Sequence, residues 1–166
     1  MLSIATKPQS PQPPLTPSAE HQLLDVFVGK WHTEGLAYAG ESQSTENPYD
    51  SAVRWSSEET YEWLPGGFFL LRHFNGPAAD VVFNGIEIIG YDASSQMYSS
   101  HIFDNYGNAL IYQVTVHDGV WTYTGTVQRA TYVFSDDGNT MTVQWEWLCG
   151  ADWFNLSHVK VTKMPT

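Results

Sequence analysis

Turn-forming segments recur at short intervals along this chain, and they constrain its fold more than any other feature. From residue 30 onward, runs rich in aromatic and β-branched side chains alternate with clusters of Gly, Pro, Asn, Asp and Ser. Connections this short join neighbouring antiparallel strands and leave no room for crossover helices. The predicted strands span 30–38, 52–64, 67–75, 82–91, 96–104, 108–117, 119–125, 127–135, 140–149 and 153–163.

A meander of this kind must protect the backbone groups at its edges, and closure into a barrel removes the edges altogether. The chain is 14% aromatic, so a flat sheet would leave a large aromatic face in water. The sequence therefore predicts an all-β fold, an antiparallel up-and-down β-barrel of about ten strands with a short N-terminal helix. A two-sheet sandwich is the alternative.

The segment before the strands divides into an arm and a helix. Residues 1–18 contain five prolines and are predicted to form a proline-rich N-terminal arm. Residues 19–166 are predicted to form a single β-barrel domain. Ser18 is a suitable helix N-cap, an apolar patch at helical spacing follows as far as Phe27, and Gly29 is expected to end the helix.

The charge and the cysteine count restrict the partners and the compartment. The net charge is −11, which would repel nucleic acids and anionic membrane surfaces, so neither is an expected partner. A single cysteine, Cys149, excludes an intrachain disulfide scaffold. No secretory signal and no apolar run of membrane-spanning length is apparent, so we expect a cytoplasmic protein. An arm that is ordered on a neighbouring copy would suit a homodimer.

Several short motifs resemble known families. Residues 24–31 (LDVFVGKW) look like the opening of calycin-type barrels, in which a short helix leads to Gly-x-Trp and the Trp packs across the barrel floor. GGFFL at 66–70, GYD at 90–92 and FDNYG at 103–107 follow in the order seen in a bacterial family of uncharacterised lipocalin-like domains. The resemblance covers residues 20–163 and implies the barrel fold, but that family has no agreed activity.

The nitrobindin-like haem barrels also open with Gly-x-Trp, but they continue into a glycine-rich stretch that contains Tyr-Pro. Here the continuation is HTEGLAYAG at 32–40, which departs from that pattern. Their haem-ligating histidine lies at the start of the last strand, a region comparable to that of His158. The resemblance therefore leaves haem binding through His158 as one alternative function.

Strand alternation predicts which side chains face the barrel interior. In 53–64 the aromatic face carries Trp55, Tyr61 and Trp63, and it also carries Glu59. An inward carboxylate must find a hydrogen-bond partner or keep its proton, so Glu59 is a candidate acid or base. The alternative is a glutamate in water at the barrel mouth, paired with an arginine.

In 140–149 the predicted inward face carries Trp145 and Trp147, which would form an aromatic wall suited to stacking a flat ligand. Ordinary core filling is the alternative. In 96–104 the predicted face carries His101 and Phe103, and His101 is the most plausible buried imidazole. Neighbouring strands offer a tyrosine and two arginines: Tyr112, Arg72 and Arg129.

The spacing of the six histidines proposes no metal site, and no phosphate loop, nucleophile elbow or dinucleotide fingerprint occurs. We therefore predict no cofactor. The favoured function is the binding of a small apolar or aromatic molecule inside the barrel by Trp55, Tyr61, Trp63, Arg72, Phe103, Arg129, Trp145 and Trp147. The alternative is a cofactor-independent cyclase, isomerase or lyase that uses Glu59, His101 or Tyr112 on a hydrophobic metabolite.

Overall fold

The computed structural model describes residues 15–38, 52–78 and 81–165. Most of the predicted N-terminal arm, residues 1–14, lies outside these ranges. The elements are helix α1 (Ala19–Leu23), a 3₁₀ turn (Leu24–Phe27) and the strands β1 (Gly29–Ala37), β2 (Val53–Trp63), β3 (Phe69–Ala78), β4 (Val81–Asp92), β5 (Met97–Asp104), β6 (Ala109–His117), β7 (Val120–Thr124), β8 (Gln128–Phe134), β9 (Thr140–Cys149) and β10 (Asp152–Lys163).

The strands form a closed up-and-down barrel. Each strand pairs antiparallel with the next one in sequence, and β1 pairs with β10 to close the sheet. The predicted fold class is therefore confirmed, and the sandwich alternative is wrong. Pairing between β9 and β10 shifts between Asn155 and Ser157, so that Leu156 and Ser157 both line the barrel interior.

Helix α1 and the turn after it cover one end of the barrel. The backbone N–H of Ser18 donates a hydrogen bond of 3.0 Å to Nδ1 of His21, which caps the helix. Leu24 and Phe27 are fully buried. Gly29 has φ +129°, a conformation that other residues rarely adopt, and it turns the chain into β1. Helical segments in the described ranges fall short of the length and apolar character that crossing a bilayer demands.

The interior has three parts along the barrel axis. The closed half, under the helix, is packed by Leu24, Phe27, Trp31, Tyr61, Trp121 and Phe134. Above it lies the polar layer, which consists of Thr33, Ser57, Glu59, Arg72, Glu87 and Ser100. Beyond that layer is the open half, which contains a cavity.

Trp31 fixes the floor of the closed half. Its indole Nε1–H donates a 2.6 Å hydrogen bond to the carbonyl oxygen of Phe27, which ties β1 to the helical turn. The Phe27 ring in turn packs within 5.1–5.6 Å, centroid to centroid, of the rings of Tyr61, Trp121 and Phe134. These contacts fill the closed half with aromatic side chains.

Candidate ligand-binding cavity

The open half of the barrel encloses a cavity of about 430 Å³. That volume falls within the range of pockets that hold small organic ligands. Most of the side chains that border it are apolar or aromatic: Ala37, Val53, Trp55, Phe74, Phe83, Ile102, Leu110, Tyr112, Tyr132, Met141, Val143, Trp145, Leu156, Val159 and Val161. The cavity is therefore an apolar space, and the polar layer forms its floor.

Glu59 is the central acceptor of the polar layer. It is 5% exposed, and its carboxylate accepts four hydrogen bonds. Thr33 and Ser57 donate to Oε1 at 2.6 and 3.1 Å, and Arg72 and Tyr61 donate to Oε2 at 2.9 and 3.4 Å. These four donors fix the orientation of the Glu59 carboxylate.

A second carboxylate, Glu87, lies directly across the sheet from Arg72, in register on β4. It is fully buried, and it accepts hydrogen bonds from Arg72 Nη1 at 2.9 Å and from Ser100 Oγ at 2.5 Å. One guanidinium thus joins two interior carboxylates. Buried charges are tolerated only where they are paired and hydrogen-bonded in this way.

Arg72 connects the polar layer to the cavity. Its side chain is 14% exposed and lines the cavity. The bonds to the two carboxylates use Nε and Nη1, so the guanidinium keeps further N–H donors on Nη2. The rings of Tyr61 and Phe74 lie 5.5 and 5.0 Å from its central carbon and limit its movement. Arg72 is therefore a fixed donor at the floor of an apolar space.

Buried tyrosines surround the polar layer. Burial raises the pKa of Tyr61, Tyr123 and Tyr132 well above 10, and the nearby glutamates raise it further. Burial also raises the pKa of Tyr112 to about 12, with a smaller contribution from Glu87. All four phenols therefore remain neutral at physiological pH and act as hydrogen-bonding groups.

A second polar point lies on the wall of the cavity. The hydroxyl of Tyr112 donates a 2.6 Å hydrogen bond to Oε1 of Gln128, and both residues line the cavity. The Tyr112 ring also packs edge-on against Trp145, with centroids 5.1 Å apart. This contact orients the indole that forms one wall of the cavity.

Five of the residues predicted for the site meet around this space: Trp55, Glu59, Arg72, Tyr112 and Trp145 all line the cavity. The inward faces predicted for β2 and β9 are confirmed by the burial of Ser57, Glu59 and Tyr61 on one strand and of Met141 and Val143 on the other. Glu59 lies deep in the barrel beside Arg72 rather than in water at the mouth.

Three predicted ligand-binding residues do not line the cavity. Tyr61 belongs to the closed half, where its ring stacks on Phe27. The Trp63 indole donates a 2.8 Å hydrogen bond to Asp25 Oδ1 and so anchors the helical turn. Trp147 packs against Phe154, with ring centroids 6.0 Å apart, and its buried indole N–H has no acceptor among the residues that the structure describes.

The predicted inward face of β5 is wrong. Tyr98, Ser100 and Ile102 are buried, so His101 and Phe103 lie on the outer surface, and Phe103 is 44% exposed. Ser100 faces inward because its hydroxyl donates to the buried carboxylate of Glu87. On this strand, therefore, apolar side chains alone do not identify the inward face. His101 is therefore no candidate for chemistry in the cavity.

Arg129 also lies outside the barrel. Its side chain is 41% exposed, pairs with Glu146 at 2.7 Å and stacks on the Trp153 ring. The hydrogen bond to Glu146 raises the pKa of Arg129. The prediction that Arg129 contacts an interior ligand is wrong, because its neighbours in sequence, Gln128 and Ala130, take the inward positions of β8.

The arrangement of β10 does not fit a haem held by His158. His158 is exposed, while Ser157 and Val159 on either side of it line the cavity. Its imidazole therefore points away from the interior, and the haem alternative is wrong in the form predicted. Within the described ranges, no group of three or more His, Cys, Asp or Glu side chains is placed to hold a metal ion.

Sequence reasoning missed Glu87, the second carboxylate of the polar layer. The signal that could have found it is the alternation Phe83, Gly85, Glu87, Ile89 and Tyr91, which places a charged residue in line with two aromatic inward positions. The surrounding run of isoleucines conceals this signal, because both faces of the strand look apolar.

Comparisons with known proteins agree with the fold. A family model described as "Protein of unknown function (DUF1579)" matches residues 16–148. None of the curated proteins matches the chain. The crystal structure of Rv2717c from M. tuberculosis is 11% identical, with a TM-score of 0.62 over 89% of this chain and 99% of that one.

An S-type phycobiliprotein lyase, CPES from Guillardia theta, is 7% identical, with a TM-score of 0.51 over 90% of this chain and 94% of that one. At these identities the two structures show a shared fold alone. The family match and the shared fold confirm the expectation of an uncharacterised family with a barrel fold.

Proposed function

Since this chain belongs to the DUF1579 family, whose description assigns no function, we propose a function from its cavity: the barrel binds a small hydrophobic or aromatic molecule. The observation that carries this proposal is an apolar space of about 430 Å³ with a single charged layer at its floor. An interior that served stability alone would be filled by side chains, as the closed half is. The proposed use of the barrel is thus lipocalin-like, with the ligand bound in the barrel interior.

The positions of the polar groups favour binding over catalysis. Glu59 accepts four hydrogen bonds from the protein, so its oxygens are engaged by Thr33, Ser57, Tyr61 and Arg72 rather than by a substrate. Tyr112, with its pKa raised to about 12, keeps its proton at neutral pH, and its hydroxyl donates a hydrogen bond to Gln128. Both residues therefore act in shaping the cavity and orienting its floor.

The fold shared with a phycobiliprotein lyase supports the proposal only as an analogy of architecture. It supplies no ligand for this chain. The expected guest follows from the lining: rings or chains that pack against Trp55, Phe74 and Trp145, with a polar group at one end that reaches Arg72.

Titration of the protein with prodan, a neutral naphthalene ketone whose emission shifts to shorter wavelength in apolar surroundings, tests this function. Leu110 and Ile111 are adjacent on β6 and face opposite ways: Leu110 lines the cavity and Ile111 is 65% exposed. The variant Leu110→Trp should reduce prodan affinity at least about tenfold by filling the cavity. The matched variant Ile111→Trp should leave the affinity unchanged.

Equal affinities in the two variants would place the probe on the outer surface and would contradict the proposal. Circular dichroism of both variants should match that of the natural protein, because each keeps the strand hydrogen bonds of β6.

A further inference from the structure

The charge of the polar layer restricts what kind of polar end the guest can carry. Glu59 and Glu87 contribute two carboxylates, and Arg72 contributes one guanidinium. The formal charge of the layer is therefore −1, in a region where the glutamates are almost completely buried. Low local dielectric makes such a charge act strongly on any ion that enters the cavity.

Arginine at the floor of an apolar cavity would ordinarily favour a carboxylate guest, because the guanidinium fork matches that group. Here two protein carboxylates already engage Nε and Nη1, each at 2.9 Å. An anionic guest would gain one hydrogen-bonding partner and would face the excess negative charge at the same time. The remaining N–H groups of Arg72 can still donate to a neutral oxygen without that penalty.

We propose that the guest presents an uncharged hydrogen-bond acceptor, such as a ketone, aldehyde, ester or amide oxygen, to Arg72, and that the layer rejects anionic head groups. This inference rests on the proposed function, since it concerns the same cavity. It assigns Glu87 a role in specificity: the residue neutralises the attraction of Arg72 for acids. Glu59 has the complementary role of holding the guanidinium in place.

The rest of the lining agrees with a neutral guest. Asp104 lies on the cavity wall near its mouth, and its carboxylate accepts from Asn108 and from the backbone N–H of Tyr106. Among the described residues, Arg72 is the only cationic side chain that lines the cavity. An acid that enters would therefore pass one carboxylate and meet two more.

The test compares two probes that share one skeleton. Prodan carries a ketone, and 6-(dimethylamino)-2-naphthoate carries a carboxylate at the same ring position. We expect the natural protein to bind prodan at least about tenfold more tightly than the naphthoate, because a unit charge at contact distance in a half-buried site has at least that effect.

The variant Glu87→Gln should raise the affinity for the naphthoate several-fold relative to the affinity for prodan. Glutamine can still accept from Arg72 and can donate to Ser100, so the layer keeps its hydrogen bonds. The matched control is Glu58→Gln, which removes the same charge from an exposed position on the outer face of β2. It should change neither affinity.

The possible failures are distinguishable. Naphthoate binding to the natural protein as tight as prodan binding would overturn the charge selection and leave the cavity function intact. Binding of neither probe would remove the proposed function and this inference together. If Glu87→Gln does not fold, the ratio of the two affinities in the natural protein still decides the matter.

Discussion

The two halves of the barrel interior are both lined by aromatic side chains, but one half is packed and the other contains a cavity. In the closed half, the rings of Phe27, Trp31 and Trp121 pack into a solid core. In the open half, Trp55 and Trp145 border a space of about 430 Å³. Aromatic composition therefore does not decide whether a barrel end is core or cavity.

The difference arises from the helical segment. Leu24 and Phe27 insert from the 3₁₀ turn after α1, are fully buried, and supply atoms that fill the closed end. The described residues at the other end provide no comparable insertion. The polar layer separates the halves, and its fixed hydrogen bonds allow one side to be packed while the other stays open.

Truncating one phenylalanine in each half compares them directly. Phe27→Ala should lower the free energy of unfolding by about 4 kcal/mol, because it opens a hole in a closely packed region. Phe83→Ala should cost less than about 2 kcal/mol, because the Phe83 ring already borders open space. Urea denaturation of the two variants measures the difference, and equal costs would contradict the distinction between the halves.

Removing the cation from the polar layer should have the next largest effect. Arg72→Met leaves two buried carboxylates without their shared partner and should destabilise the fold by about 3 kcal/mol. The combined variant with Glu59→Gln and Glu87→Gln, which removes both charges as well, should recover part of that loss. If the triple variant is no more stable than Arg72→Met, the loss comes from packing rather than from charge.

Alkaline pH should weaken the fold through the interior tyrosines. The pKa of Tyr61 and Tyr132 is raised by burial, and that of Tyr112 is raised to about 12. A phenol with a raised pKa in the folded state stabilises the fold fully below pH 10, and this contribution is lost as pH rises above that value. The free energy of unfolding should fall by up to about 1.4 kcal/mol per pH unit for each such tyrosine.

Urea denaturation at several pH values between 9 and 12, alongside the ultraviolet absorbance of phenolate, measures this effect. Tyr112→Phe should reduce this pH dependence by the contribution of one tyrosine. The variant therefore distinguishes the contribution of the cavity wall from that of the tyrosines in the closed half. Ionisation of the tyrosines near pH 10 with the barrel still folded would show that water reaches these rings.

The smallest effect should come from the outer surface. Arg129→Met removes an ion pair whose arginine is 41% exposed, so it should cost less than about 0.5 kcal/mol. Prodan affinity should not change, because Arg129 faces away from the cavity. A marked loss of prodan binding in this variant would place the guest outside the barrel. Comparing this variant with Arg72→Met gives the difference in stability cost between removing an exterior arginine and removing an interior one.

The strands were predictable because turn chemistry separates them and because β2 and β9 alternate aromatic with polar residues. That alternation also placed Trp55, Glu59 and Trp145 at the cavity. On β5 the alternation misled, since Met97 and Phe103 at the ends of the strand are apolar but face outward. The interior position of Ser100 there depends on Glu87, a partner on another strand.

The pairing of Arg72 with both glutamates also lay beyond sequence reasoning. It depends on the register between β2, β3 and β4, which places Arg72 opposite Tyr61 on one side and opposite Glu87 on the other. Strand alternation gives the face of each residue but not its height along the barrel axis. A buried polar layer is therefore visible only when neighbouring strands are aligned.

A crystal structure of the protein grown with prodan would show whether the open half of the interior holds the ligand. We expect the naphthalene rings in the cavity, against Trp55 and Trp145, with the ketone oxygen within hydrogen-bonding distance of Arg72. Prodan bound on the outer wall, with the cavity closed by rotated side chains, would contradict this expectation.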